Sequence, residues 1–181
     1  MLYEDIKECL KENQLYIKEN RYDDILQLYT GNEEYSKISN HFPQTMEGVV
    51  QDVNQVPDFL DKSQKLYLSI YNADDKLVAV ADLLDGYHIE KKKDAGSIWI
   101  GLLEIERSKH KTGLGSVICK CIVKAAGKNG KKVAQLGVIK ENREAILFWE
   151  KQGFKTIRDG NDGELDLNIM EKQIVYADIQ M

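Results

Sequence analysis

The sequence predicts a mixed α/β fold: a helical first third followed by a mixed β-sheet with helices on its faces. Three observations carry this. Up to about residue 60 the apolar residues recur at helical spacing. After Lys65 they gather into short stretches rich in β-branched and aromatic residues, separated by Gly, Asn and Asp. The stretches then follow in the order three strands, helix, strand, helix and two strands, which suits one sheet covered by helices.

Leu2, Ile6, Cys9 and Leu10 form a first helical stripe, and Tyr22, Ile25, Leu26 and Tyr29 a second that ends near Gly31. Met46, Val49, Val50 and Val53 form a third, closed by Pro57, and Leu15–Ile17 reads as a short strand. Leu66–Tyr71 and Leu77–Leu84 are strands joined by the turn Asn72–Lys76, short enough for an antiparallel hairpin. Gly96–Ile105 is apolar on both faces through Ile98, Trp99, Ile100, Leu102, Leu103 and Ile105, the mark of a central strand covered on both sides. After the segment KHKTGLGS comes a helix with the stripe Leu114, Val117, Ile118, Cys121, Ile122 and Ala125, and with Lys120, Lys124 and Lys128 opposite. Val133–Ile139 is a strand, and Arg143–Gln152 a helix buried through Ala145, Phe148 and Trp149. Phe154–Ile157 and Leu165–Ile169 form a last hairpin across Asp159–Gly163.

A chain of 181 residues fits one domain and buries roughly 70% of its unfolded surface without staples. Twenty-five basic and thirty acidic residues leave a net charge of −5, which argues against a nucleic-acid partner. Lys91–Lys93 and Lys128–Lys132 read as solvated loops. Cys9, Cys119 and Cys121 lack a CxxC spacing and read as thiols, while His41, His88 and His110 are scattered, so no metal site is expected. The start MLYEDIKECL is acidic and unlike a targeting peptide, and no apolar run approaches a membrane span of ~20 residues. A soluble, reduced, cytoplasmic protein is expected, without a membrane partner.

The segment His110–Ser116 lies between a strand and a helix, where the first helical N–H groups have no intrahelical partner and favour an anion. Gly113 and Gly115 allow the backbone to approach a phosphate closely. No Lys-Ser/Thr pair follows, so this is not a Walker loop, and Val117 and Ile118 rule out the dinucleotide fingerprint. A plain strand-to-helix turn uses the same pattern.

His110-Lys111-Thr112-Gly113-Leu114-Gly115, then Leu136, Val138, Asn142 and Ala145, then FWEKQGF from Phe148 to Phe154, and Ile169-Met170-Glu171-Lys172 occur in order and at fixed spacing. In this the chain resembles the GNAT superfamily of acyl-CoA-dependent N-acyltransferases, from Leu66 to about Lys172. The resemblance implies a mostly antiparallel sheet splayed at the CoA site, in a single domain with a substrate-side helical region at about 1–60 and a CoA-binding core at about 65–172. It implies acetyl-CoA as co-substrate, with the diphosphate on the amides of His110, Lys111, Thr112, Gly113, Leu114, Gly115 and Ser116. The pantetheine arm would lie near Ile105 and Asn142, with Phe148 and Trp149 as the family's aromatic pair. The amine attacks the thioester directly in a ternary complex. Asn142 also suits a helix N-cap.

Two positions depart from the pattern. His110 stands where the family has Arg or Gln, and Trp149 where many members have the tyrosine that protonates the departing thiolate. An indole N–H is no acid, and core packing is the plainer role for Trp149. A base must still take the proton of an amine with pKa ~10.4. Glu104 is the first candidate, placed on the face of Ile100 and Leu102 near the expected acetyl group, with Glu106 one step further out and Asp82 and Asp85 weaker. Tyr35, Tyr71 and Tyr87 are candidate proton donors. The acidic residues suit a cationic small-molecule or peptide amine, contacted by Asn32–Pro57. The family often forms homodimers, and the helix at Leu2–Leu10 is the element to hand for that. A non-catalytic acyl-CoA-binding module is the alternative, favoured by Trp149.

Overall fold

A computed structural model describes residues 1–39 and 45–180. The elements are α1 (Leu2–Glu12), β1 (Tyr16–Lys18), α2 (Tyr22–Gly31), α3 (Glu33–Ser39), α4 (Met46–Asn54), β2 (Lys65–Tyr71), β3 (Leu77–His88) and β4 (Lys92–Ile105). They continue with α5 (Leu114–Lys128), β5 (Val133–Ile139), α6 (Arg143–Lys151), β6 (Lys155–Asn161), β7 (Asp166–Gln173) and α7 (Tyr176–Gln180). The strands form one sheet in the order β1-β2-β3-β4-β5-β7-β6, antiparallel at every pair except β4 with β5. This is the mixed, mostly antiparallel α/β architecture the sequence predicts.

Helices α1 and α5 cover one face. Leu2, Ile6 and Leu10 are buried in one cluster with Ile118, Ile122, Ala79, Ala81 and Leu83. The apolar stripe of α1 is thus used inside the molecule. A disulfide joins Cys9 of α1 to Cys121 of α5, whose Cα atoms are 5.5 Å apart. That corrects the expectation of three thiols. The packing of the two helices brings these cysteines together across a sequence separation of 112, which no local spacing reveals. Cys119 alone stays free, buried, with burial pushing its thiol up to about 12.

Helices α2 and α4 cover the other face, where Ile25, Leu28, Tyr29, Val49 and Val53 meet Val80, Tyr67 and Leu102. Val50, counted in the apolar stripe, is exposed instead. Thr45 caps α4 by accepting the N–H of Gly48 at 3.1 Å. Helices α3 and α7 were not foreseen: both are short and lack a repeating apolar stripe. Strands β3 and β4 run further into their shared hairpin than predicted, to His88 and from Lys92, so Lys92 and Lys93 belong to a strand rather than a loop. The polar residues there mask the strand pattern.

Two irregularities of β4 shape the cleft. Asp82 pairs with Leu102 but Leu83 pairs with Ile100, so Gly101 is the extra residue of a β-bulge. A one-residue shift reverses the facing of the strand. Ile100 therefore joins the α1/α5 core, while Leu102 turns to α2 and α4. The expectation that Glu104 shares a face with both Ile100 and Leu102 is corrected: it shares the face of Leu102 alone. Secondly, β4 and β5 pair only from Ser97↔Val133 to Ile100↔Leu136. Beyond that the strands part. Gly101 is exposed and Leu102, Leu103 and Ile105 are half-buried, not covered on both sides as predicted.

Candidate active site

The parting of β4 and β5 opens a cleft of about 910 Å³. Its walls are Ile100–Ile105 on one side and Leu136–Ile139 on the other. The start of α5 and the length of α6 close one end, and Asn32, Glu34, Tyr35 and Ile38 reach in from the α2–α3 corner.

The glycine turn is built from both ends. The Glu106 carboxylate caps the short 3-10 turn Arg107–Lys109 by accepting the Ser108 N–H at 3.1 Å. Partial burial works against it, but the Ser108 hydrogen bonds hold the Glu106 carboxyl below its usual range. This residue is a cap outside the cleft lining, not a second base. The His110 ring follows, its Nε2 2.8 Å from the Ile105 carbonyl oxygen, which ties the loop back onto the strand end. Lys111 (φ 62) and Gly113 (φ 90) then take left-handed conformations that turn the backbone into α5. At Gly113 that angle is the reason for glycine. At Gly115 the reason is space: a Cβ there would lie 3.2 Å from Phe148 Cε2 and 3.5 Å from Ile105 Cγ1.

Among the described residues the N–H groups of Lys111, Gly113, Leu114, Gly115 and Ser116 reach no acceptor in the chain. That of Thr112 contacts the Lys109 carbonyl at 3.4 Å, and the Thr112 hydroxyl donates to the same oxygen at 2.7 Å. Thr112 and Leu114 are the two predicted residues that do not line the cleft, Leu114 being packed on the core instead. The others, Ile105, His110, Lys111, Gly113, Gly115, Ser116, Asn142, Phe148, Trp149 and Glu104, all do. Open amides at a helix start fit a diphosphate.

Across the cleft Asn142 caps α6, its Oδ1 accepting the Ala145 N–H at 3.1 Å. Its side-chain N–H₂ has no protein partner among the described residues. Trp149 is the one buried residue of α6, packed edge-on between Phe148 at 4.9 Å and Phe154 at 5.2 Å between ring centres. Ala145 and Phe148 are only half-buried, since they border the cleft. Gln152 donates to Ser116 Oγ at 3.0 Å and Lys111 pairs with Glu144 at 3.1 Å, so loop and helix are laced together. The ion pair is exposed and contributes little to stability, of the order of 0–1 kcal/mol.

Glu104 is 6% exposed, and burial pushes its carboxyl up to about 8, opposed by a hydrogen bond from Asn32. Asn32 Nδ2 donates to Glu104 Oε1 and to the Ile105 carbonyl. Of the other acids proposed, Asp85 pairs with Lys131 and Asp82 with Lys65 at 2.9 Å. Neither lines the cleft. Burial pushes Asp82 up to about 6 despite the lysine. Among the three tyrosines Tyr35 alone lines the cleft, its phenol raised to about 12 by burial and by the nearby Glu104. Tyr71 donates to Asp24 at 3.0 Å, and Tyr87 stacks between Phe59 and Trp99.

Sequence reasoning missed a polar cluster beneath the α2/α4 face. Tyr29 hydrogen-bonds Asp52 at 2.6 Å and also Tyr67, while Lys65 reaches the Asp52 carbonyl at 2.8 Å. Burial raises both phenols, so Tyr29 and Tyr67 stay protonated. Alternating Lys65, Tyr67 and Ser69 on β2 was the available signal. Within the region expected to contact substrate, Asn32, Glu34, Tyr35 and Ile38 do line the cleft. His41 and Pro43 lie outside the described residues.

Among the described residues no group of three or more His, Cys, Asp or Glu side chains could hold a metal ion. No helix there is long and apolar enough to cross a membrane. The chain matches the family model for the Acetyltransferase (GNAT) family over residues 23–154. No curated protein matches. Among solved structures, an acetyltransferase from Thermus thermophilus superposes with a TM-score of 0.68 at 22% identity, over 88% of this chain and 97% of that one. A ribosomal-protein alanine N-acetyltransferase from Escherichia coli gives 0.62 at 16% identity, over 88% and 94%. A spermidine N-acetyltransferase chimera from Vibrio cholerae gives 0.64 at 14%, over 88% and 95%. At these identities the neighbours establish the fold, while the family match spans most of the chain: the protein is a member of the GNAT acetyltransferase family.

Proposed function

We propose that the protein transfers an acetyl group from acetyl-CoA to a primary amine of a small molecule or peptide. One observation carries the reading: β4 and β5 part after Ile100 and Leu136, and the gap runs from the open amides of the glycine turn to the buried Glu104 carboxyl. The amides of Lys111 and Gly113–Ser116 receive the diphosphate, with Lys111 beside them. His110 keeps its ring on the Ile105 carbonyl and acts as a brace for the loop. Asn142 caps α6 with its oxygen and offers its N–H₂ to the pantetheine amide. Ile105 and Val138 face the arm from the two parted strands.

The donor supplies a reactive thioester, and this chain supplies position and a base. Glu104 takes the proton of the attacking amine. In the protein without ligand burial keeps much of it protonated at neutral pH, so the active fraction rises towards alkaline pH. Trp149 packs the core beside the sulfur end of the cleft and gives no proton, and a thiolate with pKa ~8.5 leaves without one. Positioning two reactants contributes effective molarities of ~10⁵ M or more, exceeding what the missing acid would add. The cytoplasmic location expected from the sequence belongs to this reading, and a reducing compartment would hold Cys9 and Cys121 as dithiols.

The second reading, an acyl-CoA binder without turnover, rests on Trp149. Incubation with acetyl-CoA and a panel of amines, following free thiol, separates the two. Spermidine, named for one neighbour, and an alanine peptide standing in for the ribosomal-protein alanine named for another head the panel. Thiol release with any amine supports transfer, and stabilisation by CoA without release supports the binder. A protein that CoA does not stabilise refutes both.

A further inference from the structure

We propose that Asn32 is a positioning residue of the acceptor site: it fixes Glu104 by one oxygen and pairs its own Oδ1 with Glu104 Oε2 to receive the two N–H bonds of a primary amine. The proposal rests on the acceptor reading above and extends it to a residue on a different element, at the C-terminal end of α2.

The geometry is specific. Asn32 is 4% exposed and Glu104 6%, and both line the cleft. The Asn32 amide uses its two N–H bonds on Glu104 Oε1 and the Ile105 carbonyl. Its orientation is thereby set, because the flipped amide would aim its oxygen at two acceptors. The backbone N–H of Asn32 donates to Tyr29 O at 3.2 Å, which anchors the residue to α2. What remains is one oxygen on each side chain. Asn32 Oδ1 and Glu104 Oε2 are both buried without a hydrogen-bond partner. Buried acceptors are nearly always satisfied, so a pair of open ones on two residues already bonded to each other marks a place for a donor. In the ligand-free protein burial favours the proton-bound form of this carboxyl.

A primary amine fits this pair by count. Its lone pair must face the thioester carbon, leaving two N–H bonds for two acceptors. As the new N–C bond forms, the C–S bond breaks and CoA leaves as the thiolate. The proton displaced from nitrogen passes to ionised Glu104 Oε2, and the remaining N–H stays on Asn32 Oδ1. A secondary amine has one N–H. It must give that to Glu104, which leaves Asn32 Oδ1 unpaired with an alkyl group against it, and leaving a buried acceptor unpaired is the costly case.

The test uses n-butylamine and N-methylbutylamine on the CoA-loaded protein, read by the Asn32 side-chain amide signals in NMR, and thiol release from acetyl-CoA with the same two amines. In the native protein the primary amine shifts the Asn32 signals and is preferred about tenfold or more. In Asn32→Ala the preference collapses towards equality while stabilisation by CoA is kept; a purely structural loss would weaken both amines alike. Asn32→Ser serves if the alanine variant does not fold. Equal affinities in the native protein, no shift of the Asn32 signals, or an unchanged preference in the variants overturns the proposal. If binding follows this pattern but no thiol appears, the pair stands and the transfer reading falls. If thiol appears but the variants keep the preference, the reverse holds.

Discussion

Asn32 and Glu104, 72 positions apart, are joined by one buried hydrogen bond at the head of the cleft, and each keeps one oxygen without a partner. The bond ties the helical first third to the central strand. It also places the most strongly perturbed carboxyl of the cleft wall beside the acceptor position proposed above.

Activity should therefore follow the ionisation of Glu104. Its carboxyl is raised to about 8, so kcat/KM, expressed per neutral amine, rises with pH and levels off above that value. Glu104→Gln should lower kcat/KM by about 10²–10⁴-fold at the plateau and remove the rise. A variant that keeps native rates would exclude Glu104 as the base.

Stability should move the other way. A carboxyl raised in the folded protein favours the proton-bound form, so its contribution is complete below an unfolded value near 4.5 and is lost as pH rises through about 8. Asp82, raised to about 6, adds a smaller loss over a lower range. Denaturant melts at pH 6 and pH 9 should show the native protein less stable at the higher pH, and Glu104→Gln should flatten most of that slope. A slope that survives the substitution would place the titrating group elsewhere.

The two turn glycines should fail for different reasons. Gly113 sits at φ 90 with open space around it, so Gly113→Val strains the backbone by about 1–2 kcal/mol and misdirects the amides. Gly115→Val meets the Phe148 ring instead, and a paired Phe148→Ala should recover part of its stability. Both single variants should lose CoA binding by calorimetry. Only the second should regain folding stability in the double variant.

Breaking the Cys9–Cys121 bond frees a loop of 112 residues' separation, an effect of about 2–4 kcal/mol in the unfolded chain. Dithiothreitol should lower the midpoint of unfolding in urea, and Cys9→Ser should show the same lower midpoint with or without it. Turnover should persist, because α1 and α5 meet on the face away from Glu104.

Much of the fold was legible in the sequence because its elements carry their own period. Leu77–Leu84, Val133–Ile139 and the stripe from Leu114 to Ala125 each declare strand or helix locally, and the glycine turn declares a sharp change of direction. What was hidden depends on partners far away in sequence. The bulge at Gly101 exists only in the pairing of β3 with β4, yet it decides which face Ile100 and Glu104 take. Helix α3 has no apolar stripe, and Arg107 meets its Glu34 at 2.8 Å across the cleft. The contact of Asn32 with Glu104, on which its proposed role rests, is one that no spacing predicts. Of the two departures from the family pattern, His110 found a structural use at Ile105, and Trp149 a place in the core.

The short contact between β4 and β5 has a mechanical meaning as well. Four residue pairs, Ser97–Ile100 with Val133–Leu136, form the only ladder between β1–β4 and β5–β7 among the described residues. The seven strands are thus two panels joined by a seam along part of one edge. An extended ligand seated in the open part of the seam completes a missing row of main-chain hydrogen bonds and fastens one panel to the other. Amide exchange along Leu102–Ile105 and Gly137–Ile139 would then slow on binding in both panels together, as stitches drawn by one thread.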